Sequence, residues 1–414
     1  MKKLSTPISA REKISAADAE AGLAHDAAAF RTRLDKWYQK NARELPWRGV
    51  NNPYATWLSE IMLQQTRVAA VIDRYRGFLL RFPTLEDLAV AEESEVLALW
   101  SGLGYYRRAR MLHRGAQFVV RELGGKLPRT AHELKTLPGV GSYTAAAIAS
   151  IAFGESVAVV DGNVERVLLR VMGLPEEATA EARARVARAA QSLVPAAAKR
   201  KGRSNPPGDH NQAMMELGAT ICLPKAPLCL QCPVAALCRT KGEHPTRPRE
   251  KQKSQIVAHL LALRKAGTTT EVLLERRPES ASLMPGMLEL PRLSLEAVKE
   301  REPVLRVRHA ITNTNYYAQI FSEGAPATRQ SRDVDEEQQP PVETSMFEDE
   351  LFVAAKSDAV EGESRHLLVD EIRAAKGHLI WAPTRRLHNL PLTGLSRKVL
   401  QRLGVMQVPR LRIG

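Results

Sequence analysis

From Asp26 to about Val194 the apolar positions recur at helical spacing, in short stretches that stop at Gly or Pro and restart at polar residues. The string Thr130-Ala131-His132-Glu133 predicts a capping box, with the Thr hydroxyl and the Glu carboxylate each satisfying the other's backbone N–H. The helix it opens is expected to end by Pro138. The turn Pro138-Gly139-Val140-Gly141-Ser142 follows, and an Ala-rich helix then runs from Tyr143 to Phe153, where Gly154 stops it. Another helix is predicted after Asn52, with Pro53 in the first helical position. Trp57, Leu58, Ile61, Met62 and Val68 are its apolar residues. Glu60, Gln64 and Arg67, at i, i+4 and i+7, are expected to share one polar stripe.

After Arg239 the texture changes. Residues 239–255, rich in Lys, Arg and Pro, read as a linker. Strand patterns follow at Ile256–Leu263, Glu271–Leu274, Val304–Ile311 and Tyr316–Phe321. The Pro-, Glu- and Gln-rich stretch from Ser322 predicts a disordered insertion over 322–365. Leu379-Ile380-Trp381 and a helix over Ser396–Leu403 close the pattern. The expected organisation is therefore multidomain: a flexible tail at 1–25, an all-α domain at 26–221, a cysteine loop at 222–238, the linker, and a smaller α+β domain at 256–414.

The net charge of +14 narrows the partners, because so large a basic excess suits a polyanion, nucleic acid first among them. No run of eighteen apolar residues occurs, so no membrane helix is expected. The charged N-terminus lacks the apolar core of a secretory signal, which predicts a reducing compartment without structural disulfides. The four cysteines, Cys222, Cys229, Cys232 and Cys238, nevertheless fall in one short segment. Four thiolates in one loop can supply one ligand to each iron of a 4Fe–4S cluster. Zinc is the alternative, but structural zinc loops offer two close pairs, and only Cys229 and Cys232 form one here.

Three further patterns bear on chemistry. Gly139 and Gly141, between two predicted helices, suit a helix-hairpin-helix whose free N–H groups meet a phosphate; an ordinary turn is the plain alternative. Tyr105 and Tyr106 follow Gly102-Leu103-Gly104 and precede Arg107, Arg108 and Arg110, which suits an aromatic wedge in a DNA stack or, equally, two core tyrosines. Asp161 follows the apolar run Val157–Val160, where a helix N-cap is its usual structural use. Glu60 lies among apolar neighbours that would raise its pKa. An acid kept protonated and a second carboxylate are the pair that glycoside cleavage requires.

In this order the motifs resemble the MutY family of adenine glycosylases within the helix-hairpin-helix glycosylase superfamily. The matching strings are Leu45-Pro46-Trp47-Arg48, Trp57 to Thr66, Gly102 to Tyr106, Leu137 to Thr144, Val160 to Val164, Asn211 to Gly218 and the four cysteines. The resemblance implies a monofunctional, base-flipping enzyme of base excision repair that removes adenine from duplex DNA opposite 8-oxoguanine or guanine. It implies a 4Fe–4S cluster on Cys222, Cys229, Cys232 and Cys238. It gives Glu60 the role of protonating adenine N7 and Asp161 that of stabilising the oxocarbenium ion, with Tyr143 and Asn163 in support. Trp47, Arg48 and Gln212 would line the pocket of the extruded base. Gln65 and Tyr105 would fill the duplex, with Gln64, Gly139 and Gly141 also on the DNA side. The related endonuclease III attacks with a lysine where this chain has Tyr143, which points away from a lyase. A monomer in the cytoplasm, at the nucleoid if the chain is bacterial, completes the expectation.

The second half resembles the Nudix-like domain of that family, through Arg276-Arg277-Pro278, Met284 to Pro291 and Leu390 to Arg397. The Glu-rich helix of Nudix hydrolases is absent, so no pyrophosphatase activity is expected. The lesion-reading loop, Phe-Ser-His in the family, is here Ile311-Thr312-Asn313, leaving Thr312 and Asn313 to supply its hydrogen bonds. Two other classes fit less of the sequence. An iron–sulfur electron carrier needs neither Glu60 nor the hairpin, and a non-catalytic DNA-binding module leaves Glu60, Asp161 and Tyr143 without work.

Overall fold

Helix ends along the first half of the chain sit where local chemistry places them. In the computed structural model, which describes residues 15–50, 52–197, 205–243, 252–323 and 378–407, Asn52 caps helix α3 (Pro53–Leu63) by accepting from the Ala55 N–H. Both halves of the Thr130–Glu133 capping box form at α8 (Ala131–Leu134). Helix α9 (Ser142–Phe153) ends at Gly154, whose φ of 78° needs no Cβ. By its contacts the chain divides into two compact units, Met1–Val96 with Tyr105–Arg249, and Leu97–Gly104 with Glu250–Gly414.

The first unit is helical. Its core gathers Phe30 and Leu34 of α2 (Ala27–Asn41), Val167 and Leu168 of α10 (Gly162–Met172), Val186 and Leu193 of α11 (Ala180–Leu193), and Met214 and Leu217 of α12 (Pro206–Thr220). Helix α3 packs on α9, and α9 in turn on α12. These contacts bring the chain near residues 60, 143, 161 and 212 to one cleft. Two sequence expectations fail here. Residues 15–25 are not tail: Ser15 caps α1 (Ala16–His25), and Ala19 and Leu23 bury into the same core, which holds that helix in place. The rest of the expected tail lies outside the described residues. The polar stripe on α3 also fails, because the helix ends at Leu63, Gln64 leaves helical geometry with ψ 115°, and Gln65 turns left-handed at φ 53°. Glu60 is consequently the stripe's single member on the helix.

Among the described residues the second unit carries a seven-stranded sheet of order β3-β2-β1-β6-β5, with β4 on β1 and β7 on β2. The strands are β1 (Lys253–Ala266), β2 (Thr269–Arg276), β3 (Leu288–Glu289), β4 (Arg292–Leu293), β5 (Leu305–Ile311), β6 (Thr314–Glu323) and β7 (His378–Pro383). β1 and β6 run parallel. The run Val257–Ala262 is buried throughout because β1 faces a core on each side. Val257 and Leu261 enter one cluster, and Ala258, Leu260 and Ala262 the other. Helix α13 (Gly394–Arg402) covers the first cluster with Leu395, Val399 and Leu400. The expected linker shrinks at both ends. The Arg239 and Thr240 N–H groups donate to the Val171 and Arg170 carbonyls, and β1 begins at Lys253; residues 244–251 lie outside the described set. Of the expected insertion, Ser322 and Glu323 belong to β6, and the remainder lies outside the described residues.

Candidate active site

The first unit contains a cleft of about 1250 Å³ lined by Trp47, Arg48, Glu60, Gln64, Gln65, Tyr105, Gly139, Gly141, Tyr143, Asp161, Asn163 and Gln212. Every residue expected from sequence to act on a base or its DNA therefore lies on one surface, apart from Thr312 and Asn313 in the other unit. Glu60, on the inner side of α3, is 6% exposed. Burial pushes its carboxyl up to about 7; the Tyr143 hydroxyl, donating to Oε2 at 2.8 Å, pulls the other way, and the charge of Asp161 adds to the rise. Oε1 makes no hydrogen bond among the described residues and is the free corner for a proton. Burial, with Glu60 and Asp161 nearby, raises the Tyr143 phenol well above its ordinary value, so it remains a donor.

Asp161 is both of the things its sequence position allowed. It caps α10, with Oδ1 accepting from the Asn163 and Val164 N–H groups at 2.9 and 2.7 Å, and it also faces the cleft. Oδ2 accepts from Asn163 Nδ2 at 2.9 Å. Asn163 Oδ1 accepts from Arg166, whose Nε donates to the Cys222 carbonyl at 2.8 Å. A continuous set of hydrogen bonds thus joins Asp161 to the cysteine loop.

Another part of the cleft lining is built on charge. Glu216 accepts from Arg43 Nε and Nη2 at 2.7 and 2.8 Å and from Arg48 Nη2 at 2.6 Å. Burial would raise its carboxyl, but the hydrogen bonds and charges of the two guanidiniums win and hold it down at about 2. Trp47, itself buried, meets Tyr75 edge-on at 5.5 Å between centroids. Neither Arg43 nor Glu216 was singled out from sequence. The available signal was that Glu216 lies one helical turn after Gln212 on α12.

At the mouth, Gln65 and Tyr105 are both exposed non-glycine residues with positive φ, 53° and 47°. Tyr106 is not their partner; at 3% exposure it is core. Nor do all the neighbouring arginines face solvent. Arg108 donates through Nη1 to the carbonyls of Ile61, Met62 and Gln64 and through Nη2 to Thr66, which closes the end of α3. Arg110 pairs with Glu93 at 2.7 Å. Gln64 donates to Thr144 Oγ1 at 3.2 Å. At the hairpin, Gly139 has φ 76°, and a Cβ there would meet Met111 at 2.4 Å. Gly141 faces open space, and α9 starts without a side-chain cap, so its first N–H groups are available to an anion.

All four cysteines line a second cavity, with Val167, Leu217 and Ile221 behind them. Arg170, buried on α10, donates to Cys222 Sγ at 3.4 Å and to the carbonyls of Leu223 and Pro224. Among the described residues no three His, Cys, Asp or Glu side chains converge as a site for a single metal ion. No described helix is long and apolar enough to cross a membrane. In the second unit, Thr312 and Asn313 form the exposed two-residue turn between β5 and β6. Thr312 has φ 52°, a strained position for a β-branched residue. Its hydroxyl donates to the Ile311 carbonyl at 2.7 Å.

Residues 58–195 match the family model described as HhH-GPD superfamily base excision DNA repair protein. The chain is 52% identical over 224 residues to the adenine DNA glycosylase of Homo sapiens, covering 51% of this chain and 39% of that protein. To the adenine DNA glycosylase of Arabidopsis thaliana it is 37% identical over 310 residues, 64% of this chain and 48% of the other. The matched region thus spans about half the length of such relatives or less. A solved thermostable thymine-DNA glycosylase is 29% identical, with a TM-score of 0.47, over 55% of this chain and 99% of that one. Residues 58–195 thus carry the pattern of the HhH-GPD superfamily of base excision DNA repair proteins, and over about half its length the chain is similar to adenine DNA glycosylases.

Proposed function

We propose that this chain hydrolyses the N-glycosidic bond of adenine in duplex DNA, opposite 8-oxoguanine or guanine, as a monofunctional glycosylase. The observation that carries the reading is Glu60: a buried carboxyl held near 7, hydrogen-bonded by Tyr143 on one oxygen and free on the other, in a cleft that also holds Asp161. In a duplex the bond is out of reach, so the adenosine must leave the stack and enter the cleft. Gln65 and Tyr105, exposed at its mouth, are the side chains to fill the gap, and the hairpin around Gly139 and Gly141 offers N–H groups to the backbone phosphates.

Protonated Glu60 gives its proton to the adenine ring, at N7 by family resemblance, as the bond from the sugar carbon to the base breaks and its electron pair leaves with the base. The sugar becomes an oxocarbenium ion, and the Asp161 carboxylate, fixed by three N–H donors, offsets its charge. Water adds to the sugar carbon, and its proton returns to the carboxylate left on Glu60. Tyr143 holds Glu60 through Oε2 and offers no amine, so no Schiff base forms and the strand is not cut.

Cys222, Cys229, Cys232 and Cys238 would hold a 4Fe–4S cluster. Four thiols lining one cavity match a group that takes one thiolate per iron. When bound, it supplies four Fe–S bonds that brace the loop. The second unit would read the partner base, as a Nudix-like domain, through Thr312 and Asn313; the strained, exposed turn supports that assignment. Chromatographic detection of free adenine released from an adenine:8-oxoguanine duplex by the full chain tests the reading. Release of no base, or of a different base, contradicts it.

A further inference from the structure

Tyr38 stands behind the cleft, outside its lining. It lies on α2, is buried, and reaches across to α12, where its hydroxyl donates to Gln212 Oε1 at 2.7 Å. Gln212 does line the cleft. This is the one hydrogen bond of either side chain among the described residues, so the Gln212 amide has its oxygen engaged and its NH₂ group unspent. The same tyrosine ring lies under Arg48, whose guanidinium carbon is 5.4 Å from the ring centroid. Arg48 is in turn held by Glu216, one helical turn beyond Gln212.

An amide can present either end, and the two differ in what they recognise. The surroundings decide between them. Burial pushes the Tyr38 phenol up to about 12, against the pull of Arg48, so it stays a hydroxyl with a proton to give. If the Gln212 amide turned over, its nitrogen would face the hydroxyl, and the phenol proton would be left buried without an acceptor. A buried donor without a partner is costly, whereas the observed arrangement satisfies the phenol and directs two free N–H donors elsewhere. A ligand in the cleft therefore meets a donor at this point.

We propose that Tyr38 is a positioning residue for base recognition, which fixes the Gln212 amide so that its NH₂ group faces a ring-nitrogen acceptor of the extruded purine. The inference rests on the glycosylase reading and adds to it a residue that touches neither base nor sugar. Because the contact exists in the bound ground state and persists through bond cleavage, its loss weakens occupancy more than the chemical step.

The test is a double-mutant cycle on the full chain, with single-turnover excision of adenine opposite 8-oxoguanine measured as a function of enzyme concentration. Tyr38→Phe keeps the ring under Arg48 and removes the hydroxyl alone. The expected result is an increase of about three- to tenfold in the half-saturating enzyme concentration, with the plateau rate within about twofold of wild type. Gln212→Ala alone raises the same quantity, and adding Tyr38→Phe to it produces no further change, since Tyr38 then has nothing to orient. Additive effects of the two substitutions overturn the inference, as does a wild-type concentration dependence in Tyr38→Phe. A lowered melting temperature accompanied by additivity assigns Tyr38 to the core instead. If the wild-type chain excises no adenine, the glycosylase reading fails and takes this inference with it; wild-type excision with additive mutants removes the inference alone.

Discussion

Replacing Glu60 with glutamine separates the chemistry of that carboxyl from its cost to the fold. Moving the carboxyl from 4.5 to about 7 means that ionising it in the folded chain costs roughly 3 kcal/mol more than in the unfolded chain. The sign follows from proton counting. Between pH 4.5 and 7 the folded state holds the proton and the unfolded state does not, so wild-type stability falls with rising pH across that window and levels off above it. The amide of the Glu60→Gln variant has no proton to lose, accepts the Tyr143 hydroxyl as the carboxyl does, and occupies the same volume. The variant is therefore expected to match the wild type in stability near pH 4 and to exceed it by roughly 3 kcal/mol at pH 8.5, as read by urea unfolding of both proteins at each pH. Other titrating groups are common to both and cancel in the difference. Excision moves in the opposite direction: loss of the acid lowers the single-turnover rate by about 10²- to 10⁴-fold, while mismatched duplex still binds. In the wild type the rate should fall about tenfold per pH unit above 7, as the protonated fraction falls. A stability difference independent of pH would refute the burial argument, and a wild-type rate in Glu60→Gln would refute the assignment of the acid.

Three other substitutions or measurements follow from the same geometry. Cys229→Ser should abolish the iron content and visible absorption of the purified protein and weaken DNA binding, because the loop loses one of the four ligands proposed for the cluster; one zinc and no iron in the wild type would contradict the cluster. Borohydride should trap little or no covalent adduct between the wild type and DNA, since on the proposed reading Tyr143 takes the place of a lyase's attacking amine, and efficient trapping would contradict the monofunctional reading. Thr312→Ala should reduce the preference for 8-oxoguanine over guanine as partner by about tenfold or less, the worth of a single hydrogen bond, in a binding competition between the two duplexes; unchanged preference would move lesion reading to Gln65 and Tyr105.

The features legible in the sequence were those with local causes. Pro53, the Thr130–Glu133 box and the glycines at 139 and 154 act within a turn of where they stand, and each is where the pattern put it. Glu60 among apolar neighbours was enough to predict a raised pKa, because burial on α3 depends on the spacing of those neighbours. What the chain did not disclose is convergence. Glu60, Tyr143 and Asp161 come from three helix termini or faces that meet through the packing of α3 on α9 and the capping of α10. Guanidiniums were the least readable of all. Arg107, Arg108 and Arg110 look alike as a basic run, yet Arg108 is spent on the carbonyls at the end of α3 and Arg110 on Glu93. Glu216 is hard to read in the sequence because an acidic residue in a helix is usually a solvated one, and here Arg43 and Arg48 make its burial possible. The stripe read through Glu60, Gln64 and Arg67 failed for a related reason: helical spacing was carried past Leu63, where the backbone turns and gives Gln65 to the mouth of the cleft.

The measurement that bears most directly on the account is alkali-dependent strand cleavage at a single adenine in duplexes that place 8-oxoguanine, guanine or thymine opposite it, with the full chain in excess. The account predicts cleavage at that adenine opposite 8-oxoguanine and guanine, none opposite thymine, and none in any duplex before alkali is added. Intact strands opposite both purines, or equal cleavage opposite thymine, would contradict it.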